Sequence, residues 1–434
     1  MFYTENIEKT VLDIQAKMNN KNKFKLLVFI TMMALHGCVT DKPGVIYVDT
    51  NSTIKNDGFT WKTAYNNLQD AIGKANKDDE IWVAAGIYKP TKQFGGEGDR
   101  YKSFRLKENV AFYGGFEGAE TKREERNWHV NKTILSGDLN GDDNNFENYM
   151  ENSFHVVTGD ELDSTAILDG FYITAGNAND SIWPNDGGGG MTNFNGSPTI
   201  TNCTFIGNAA FADGGGMRNW GNSKPLINNC TFQNNRVVQE GGGLMNGPGS
   251  SAIIINSKFL NNYAGEDGGG IYNNESYTRV INCVFQNNSS GLTGGGVYNV
   301  NSSNTLITNC TFYQNSVDVK GGAISNRDSD PELVNCILWN NYAPEYPEIA
   351  NQESTTKVSF SAVKGGYAGT GNIDSNPLFV DKSLRLTVSS PCIDAGNNQA
   401  VPKGVNYDID ANPRIKNGTV DMGAYEFFNS NIEN

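Results

Sequence analysis

Residues 200–246 read ITNCTFIGNAAFADGGGMRNWGNSKPLINNCTFQNNRVVQEGGGLMN, and within this stretch the chain says the same thing twice. Asn202-Cys203-Thr204-Phe205 returns as Asn229-Cys230-Thr231-Phe232, then as Asn256-Ser257-Lys258-Phe259, Asn282-Cys283-Val284-Phe285, Asn309-Cys310-Thr311-Phe312 and Asn335-Cys336-Ile337-Leu338, at steps of 27, 27, 26, 27 and 26 residues. A second column runs in phase, a triple glycine leading to Asn193, Asn219, Asn246, Asn273, Asn299 and Asn326. A third lies three residues beyond each Phe: Asn208, Asn235, Asn262, Asn288, Asn315 and, after Leu338, Asn341. A fixed period of this size marks a stacked architecture. Each unit holds short β-like runs cut by Gly and Asn, with no ten-residue stretch of helical periodicity, so the unit is one coil of a β-solenoid.

The repeat also fixes which residues face inward. Ile200, Ile227, Ile254, Val280, Ile307 and Leu333 are always apolar, the cysteine follows three residues on and the Phe five. Strict alternation would turn the cysteine outward, so the chain must bend at the intervening asparagine, a residue that tolerates left-handed backbone. Coils about 4.8 Å apart would then let each asparagine column hydrogen-bond along the axis. The triple glycines at 188–190, 214–216, 241–243, 268–270 and 294–296, with Gly321-Gly322-Ala323, mark a second corner; none is followed by the Lys and helix of a phosphate-binding loop. Cys203, Cys230, Cys283, Cys310 and Cys336 share one inward column interrupted by Ser257, which favours stacked free thiols over a disulfide framework.

The 434-residue composition agrees with this reading. Glycine numbers 49, asparagine is more abundant still, and charged residues make up 19%. The net charge of −14 disfavours nucleic acid as a partner. At the amino end, KNKFKLLVFITMMALHGC (residues 21–38) has three lysines and an apolar run from Leu26 to Leu35. That run is too short for the roughly 20 residues of a membrane-crossing helix and has the layout of a secretory signal. Leu35-His36-Gly37-Cys38 resembles the lipobox of bacterial lipoproteins, with His36 in place of the usual small residue. The resemblance implies a signal over 1–38, lipidation of Cys38, and an exported, outer-membrane or surface location, while the seventeen residues before Met18, polar and unlike a signal, point to a start at Met18.

Upstream of the repeats, residues 46–91 contain one expected helix, 64–77, carrying LQDAI, and a strand-like IWVAAGIY. These features resemble the amino-terminal cap of the pectate-lyase-like and pectinesterase-like right-handed parallel β-helix superfamily. The Phe-x-x-Asn and Gly-Gly-Gly/Ala-apolar motifs are similar to repeats of polymorphic outer-membrane proteins. NPLFVDKSLRL, SPCIDAGN and YDIDANPRIKNGTVDMGAYEF resemble the choice-of-anchor Q domain. The resemblance implies a mainly β protein, a right-handed parallel β-helix of about ten coils with an amino-terminal cap over 45–91, irregular coils over 92–180, regular coils over 181–350 and a carboxy-terminal β cap over 370–427.

Candidate chemistry lies in the outward columns. Asp213, Glu240 and Asp267 precede successive triple glycines, with Asp186 nearly in register, and stacked carboxylates invite a calcium ion or raised pKa values. The column continues as Thr293 and Lys320, which is the pattern of a solvated corner. Arg218 and Arg236 are candidates for a sugar carboxylate. Asp138, Asn140 and Asp142 alternate as in a calcium loop, although Asp143 and Tyr149 stand where an EF-hand needs Gly and Glu. The residue after each triple-glycine apolar position, Thr192, Arg218, Met245, Tyr272, Tyr298 or Ser325, is expected to face outward. Tyr272 and Tyr298 would make a flat pair for sugar stacking, flanked by Trp220 and Trp183. His129 and His155 have no partner nucleophile, and His155 falls in the alternating run SFHVV. The leading expectation is a monomeric, lipid-anchored protein that binds polysaccharide or another surface ligand without catalysis. The alternatives are a calcium-dependent lyase acting on a uronate-containing glycan, and an adhesin or spacer.

Overall fold

A computed structural model describes residues 44–53 and 56–428. The signal segment, Met18 and Cys38 lie outside the described residues. From Val45 the chain winds as a right-handed parallel β-helix built of four sheets. Sheet 1 has eleven strands, from Val45–Val48 to Lys357–Ser359; sheet 2 has ten, from Gly86–Tyr88 to Ala362–Val363. Sheet 3 has six, from Asn177–Ala178 to Ser316–Val317, and sheet 4 has nine, from Phe104–Arg105 to Ile349–Gln352. Sheet 1 therefore gives about eleven turns where the sequence suggests ten. In the regular region one coil visits the sheets in order: Leu226–Asn228, Thr231–Gln233, Arg236–Val237, Leu244–Asn246. Equivalent residues pair one coil apart, as in Ile227 with Ile254, Phe232 with Phe259 and Asn219 with Asn246.

The corners are where the repeat placed them. Asn202, Asn229, Asn256, Asn282, Asn309 and Asn335 turn from sheet 1 to sheet 2 with φ between 49° and 56°. A further left-handed corner, at Gly207, Asn234, Asn261, Asn287, Gln314 and Asn340, turns into sheet 3. The first glycine of each triplet, with φ of 61–75°, turns into sheet 4. With the chain bent at Asn, the cysteines do point inward: all five are free and fully buried. Burial pushes the Cys230 thiol up to about 12, so it stays protonated and donates to the carbonyl of Asn228 at 3.4 Å. The Phe column stacks face to face, with centroids 4.5–4.9 Å apart and planes within 5°.

Two asparagine columns form continuous buried ladders. Asn193, Asn219, Asn246, Asn273 and Asn299 each donate to the next amide at 2.8–2.9 Å, and Asn326 continues to Asn351 at 3.0 Å. Asn208, Asn235, Asn262, Asn288 and Asn315 form a like ladder at 2.9–3.0 Å, ending at Asn341, whose amide donates to Glu348 at 2.5 Å.

The ends differ from the repeat. The expected helix is shorter than 64–77: a 3-10 turn, Trp61–Thr63, precedes helix α1, Leu68–Lys74. The Asn67 side chain caps it by accepting from Gln69 N at 2.8 Å, which starts the helix four residues late. Leu68 and Ala71 pack into the same core as Val48 and Ile81. Residues 370–427, expected as a β cap, carry isolated bridges (Phe379–Leu386, Tyr407–Pro413, Lys416–Thr419), one 3-10 turn at Asn398–Ala400 and irregular chain. This segment lies along the outer side of sheet 2, where Leu384, Ala424 and Tyr425 pack on Leu260, Val284 and Tyr313. Ala424 N donates to Thr311 Oγ1 at 3.0 Å and Asn282 Nδ2 to Tyr407 O at 2.9 Å. No helix among the described residues is long and apolar enough to cross a membrane.

Candidate functional site

Sheet 4 carries most of the residues singled out in the sequence. Alternation directs Thr192, Arg218, Met245, Tyr272, Tyr298 and Ser325 away from the coil interior, yet all are buried, at 1–6% exposure. The physical reason is the glycine corner, which folds back over their Cβ atoms: a methyl on Gly268 would lie 2.9 Å from Tyr272 Cβ, and one on Gly294 2.7 Å from Tyr298 Cβ. The exposed flat aromatic pair is thereby corrected. Tyr272 and Tyr298 are tilted 35° to one another at 5.6 Å and form an apolar cluster with Met245 and Val300, against which half-buried Trp220 packs. Trp183 is exposed and meets Phe194 edge-on at 5.4 Å.

Arg218 is likewise not a free guanidinium. Its Nη1 lies 2.7 Å from Asp186 Oδ1 and 3.4 Å from Asp213 Oδ1, and Nη2 donates to Pro184 O. Asp213 is buried, and burial pushes its carboxyl up to about 6 against the pull of Arg218. Glu240 pairs with Asp213 across a parallel bridge; burial, helped by Asp213 and Asp267, pushes it up to about 7, with the Tyr272 hydroxyl as hydrogen-bond partner. Asp267 Oδ1 accepts from Thr293 N at 3.0 Å and Oγ1 at 2.8 Å. The acids thus dispose of their charge through Arg218, Thr293 and proton uptake, and do not gather three ligand atoms around one point. His155 sits two residues before the strand Val157–Thr158 rather than in it. Its Nδ1 is 3.0 Å from Gly188 O, and burial, together with Arg218, holds the ring down at about 4.

Glu240 gives a pH-dependent prediction. Its folded pKa lies above the ordinary 4.5, so the native state holds more protons than the unfolded chain between 4.5 and about 7, and stability falls as pH rises through that window. Glu240→Gln is expected to flatten this part of the profile, seen as a smaller drop in urea midpoint from pH 5 to pH 8 than in the wild type. An unchanged drop would refute the assignment.

The acids that do converge are elsewhere. Asp138 and Asp142 join Asp143 and Glu151, and one oxygen from each lies within 4.8 Å of the others, the one such group among the described residues. Asn140 is exposed. Glu151 was not legible as a partner, because it is returned to the loop by a 3-10 turn at Tyr149–Glu151 that no periodicity announces. Burial, with Asp138 and Glu151 close by, pushes the Asp143 carboxyl up to about 6.

The same loop walls an open groove on the outer side of sheet 3, about 540 Å³ in volume. Phe146, Tyr149 and Met150 line one side; Phe211, Arg236 and Tyr263, from three successive coils, line the other. Met150, Tyr263 and Phe211 are 71%, 49% and 38% exposed, so this aromatic surface faces solvent. The Arg236 guanidinium sits 3.8 Å over the Phe146 ring, and the Tyr149 hydroxyl donates to Gly207 O at 2.9 Å, fixing the wall to the coil. Arg236 was a sequence candidate; the aromatic set around it was not.

Residues 220–373 match the family model described as right handed beta helix region. No curated protein matches the chain. Among solved structures, the crystal structure of pectate lyase Pel9A is similar at 12% identity and a TM-score of 0.47, covering 89% of this chain and 97% of that one. A rhamnogalacturonan lyase is similar at 10% identity and a TM-score of 0.27, covering 74% of this chain and 68% of that one.

Proposed function

We propose that this exported β-helix protein, held to a membrane by lipid on Cys38, captures polysaccharide in the groove of sheet 3 without cleaving it. One observation carries the reading: a solvent-facing groove pairs an exposed arginine with aromatic rings on adjacent coils. Rings of this kind stack on the apolar faces of sugars, and a guanidinium pairs with an acidic sugar's carboxylate. A solenoid repeats its surface along the axis, which suits an extended polymer.

The test is a panel of purified acidic and neutral polysaccharides against the wild type and a Tyr263→Ala/Arg236→Ala variant, both exposed positions. The variant is expected to lose roughly tenfold or more in affinity for the bound glycan, the range expected when two anchoring side chains are truncated. Equal binding by the two proteins would sink the reading. Cys38→Ser is expected to move the protein from the membrane to the soluble fraction; an unchanged distribution would argue against the anchor.

A second reading rests on Glu240. A half-buried carboxyl poised near neutrality beside the Tyr272 hydroxyl is the kind of group that takes a proton next to a uronate carboxylate. Ultraviolet absorbance of an unsaturated product, lost in Glu240→Gln, would favour this lyase reading over simple capture.

A further inference from the structure

We propose that Asp138, Asp142, Asp143 and Glu151 bind one divalent cation, calcium by size, and that the ion holds the wall of the sheet 3 groove. Calcium takes carboxylate oxygens at about 2.3–2.6 Å, so oxygens on opposite sides of the ion stand about 5 Å apart. The four side chains present one oxygen each within 4.8 Å of one another, inside the span of such a shell. Carboxylates alone, with no Cys or His in the group, are the donors a hard cation takes.

An independent observation points to the ligand. Asp143 Oδ1 and Glu151 Oε1 are buried and have no hydrogen-bond partner, and the same is true of Oδ1 of Asn152. Asn152 is fully buried, and its Nδ2 donates to Asp143 Oδ2 at 2.8 Å, which sets the amide against the carboxylates. Three buried acceptor oxygens left unpaired together, two of them on acids, need a positive partner. The protein supplies little of it. Lys89 Nζ is 3.8 Å from Asp138 Oδ1 and donates to Leu139 O, while Arg100, near Glu151, directs its N–H groups to Asn152 O, Asn177 O and Asn179 Oδ1. One lysine at the rim faces four carboxylates.

The consequence follows from position. Phe146, Tyr149 and Met150 lie on the chain between Asp143 and Glu151, so an ion bridging those two residues closes the loop that carries one side of the groove. This coupling rests on the glycan reading; the ion site itself does not.

The test is calorimetric titration of Ca²⁺ into the chelator-treated full chain, with unfolding midpoints taken with and without the ion. The wild type is expected to bind one ion and to unfold at higher temperature in its presence. Asp142→Asn, at an exposed position, and Glu151→Gln, which keeps the side chain's shape, are expected to lose both effects while keeping the wild-type far-ultraviolet circular dichroism. Absence of saturable binding by the wild type, or equal binding by both folded variants, would overturn the site. Calcium bound with no glycan captured on the panel would leave the ion site standing and remove only the groove reading.

Discussion

Replacing Asn262 by leucine is expected to lower the stability of the central coils by about 4 kcal/mol, because the substitution removes four hydrogen bonds and leaves their partners buried. Asn262 is fully buried. Its amide donates to Phe232 O at 2.8 Å and to Asn288 Oδ1 at 2.9 Å, and its Oδ1 accepts from Asn235 N at 3.1 Å and Asn235 Nδ2 at 3.0 Å. Leucine keeps the branched four-atom side-chain skeleton, so no cavity is opened. Two donors of Asn235 and the carbonyl of Phe232 lose this partner where water does not reach, at about 1–3 kcal/mol for each group that finds no substitute, while Asn288 Oδ1 keeps its bond from Asn262 N at 3.1 Å. Each coil of a solenoid contacts only its neighbours, so the damage is local: amide exchange should quicken across residues 253–290 before the ends respond. The control is Asn261→Gly, one residue earlier at a left-handed corner (φ 54°) that glycine adopts freely. A loss no larger than the control's, read from urea unfolding, would show that the ladder is not a source of stability.

Arg218→Ala is expected to cost about 3–5 kcal/mol at pH 8, the range for removing one partner of a buried ion pair. Arg218 is 2% exposed, and without it Asp213 is left as a buried carboxylate facing Asp186. The pH dependence identifies the cause. Asp213 already titrates at about 6 in the folded protein against an ordinary 3.8, and loss of the arginine raises it further. An acid with a raised folded pKa binds more protons native than unfolded, so the penalty is full above the folded value and shrinks as pH falls toward 3.8. The variant should therefore lose less stability at pH 5 than at pH 8, and Arg218→Met combined with Asp213→Asn should recover much of the loss. A deficit independent of pH would mean the cavity, not the stranded charge, is responsible. If Arg218 instead served a sugar carboxylate, its removal would weaken glycan binding with little change in unfolding.

Misreadings along sheet 4 share one cause. Alternation within a strand correctly directs Arg218, Tyr272 and Tyr298 out of the coil, but outward is not the same as exposed. The glycine corner and the 180–186 insertion, which brings Asp186 and Pro184 onto Arg218, cover that side. On sheet 2, outward Leu260, Val284, Tyr313 and Ile337 are apolar and are covered by the 373–428 segment. The groove of sheet 3 had no local signal, since Tyr149, Phe211 and Tyr263 are separated by more than fifty residues at each step and meet only through stacking.

The sequence by itself determined the coil: its period, the left-handed asparagine and glycine corners, the inward cysteine and Phe columns, and the amide ladders. Each of these is a relation between a residue and its own copy one coil away, so the repeat contains all the information needed. Only the tertiary structure decided which outward faces stay open. Covering is done by the 138–151 loop, the 180–186 insertion and the 373–428 segment, none of which repeats. Where such segments lie depends on packing between residues remote in sequence, which no local period encodes. That is why the buried framework could be read residue by residue, while the acidic cluster with Glu151 and the aromatic groove beside it came into view only with the chain folded.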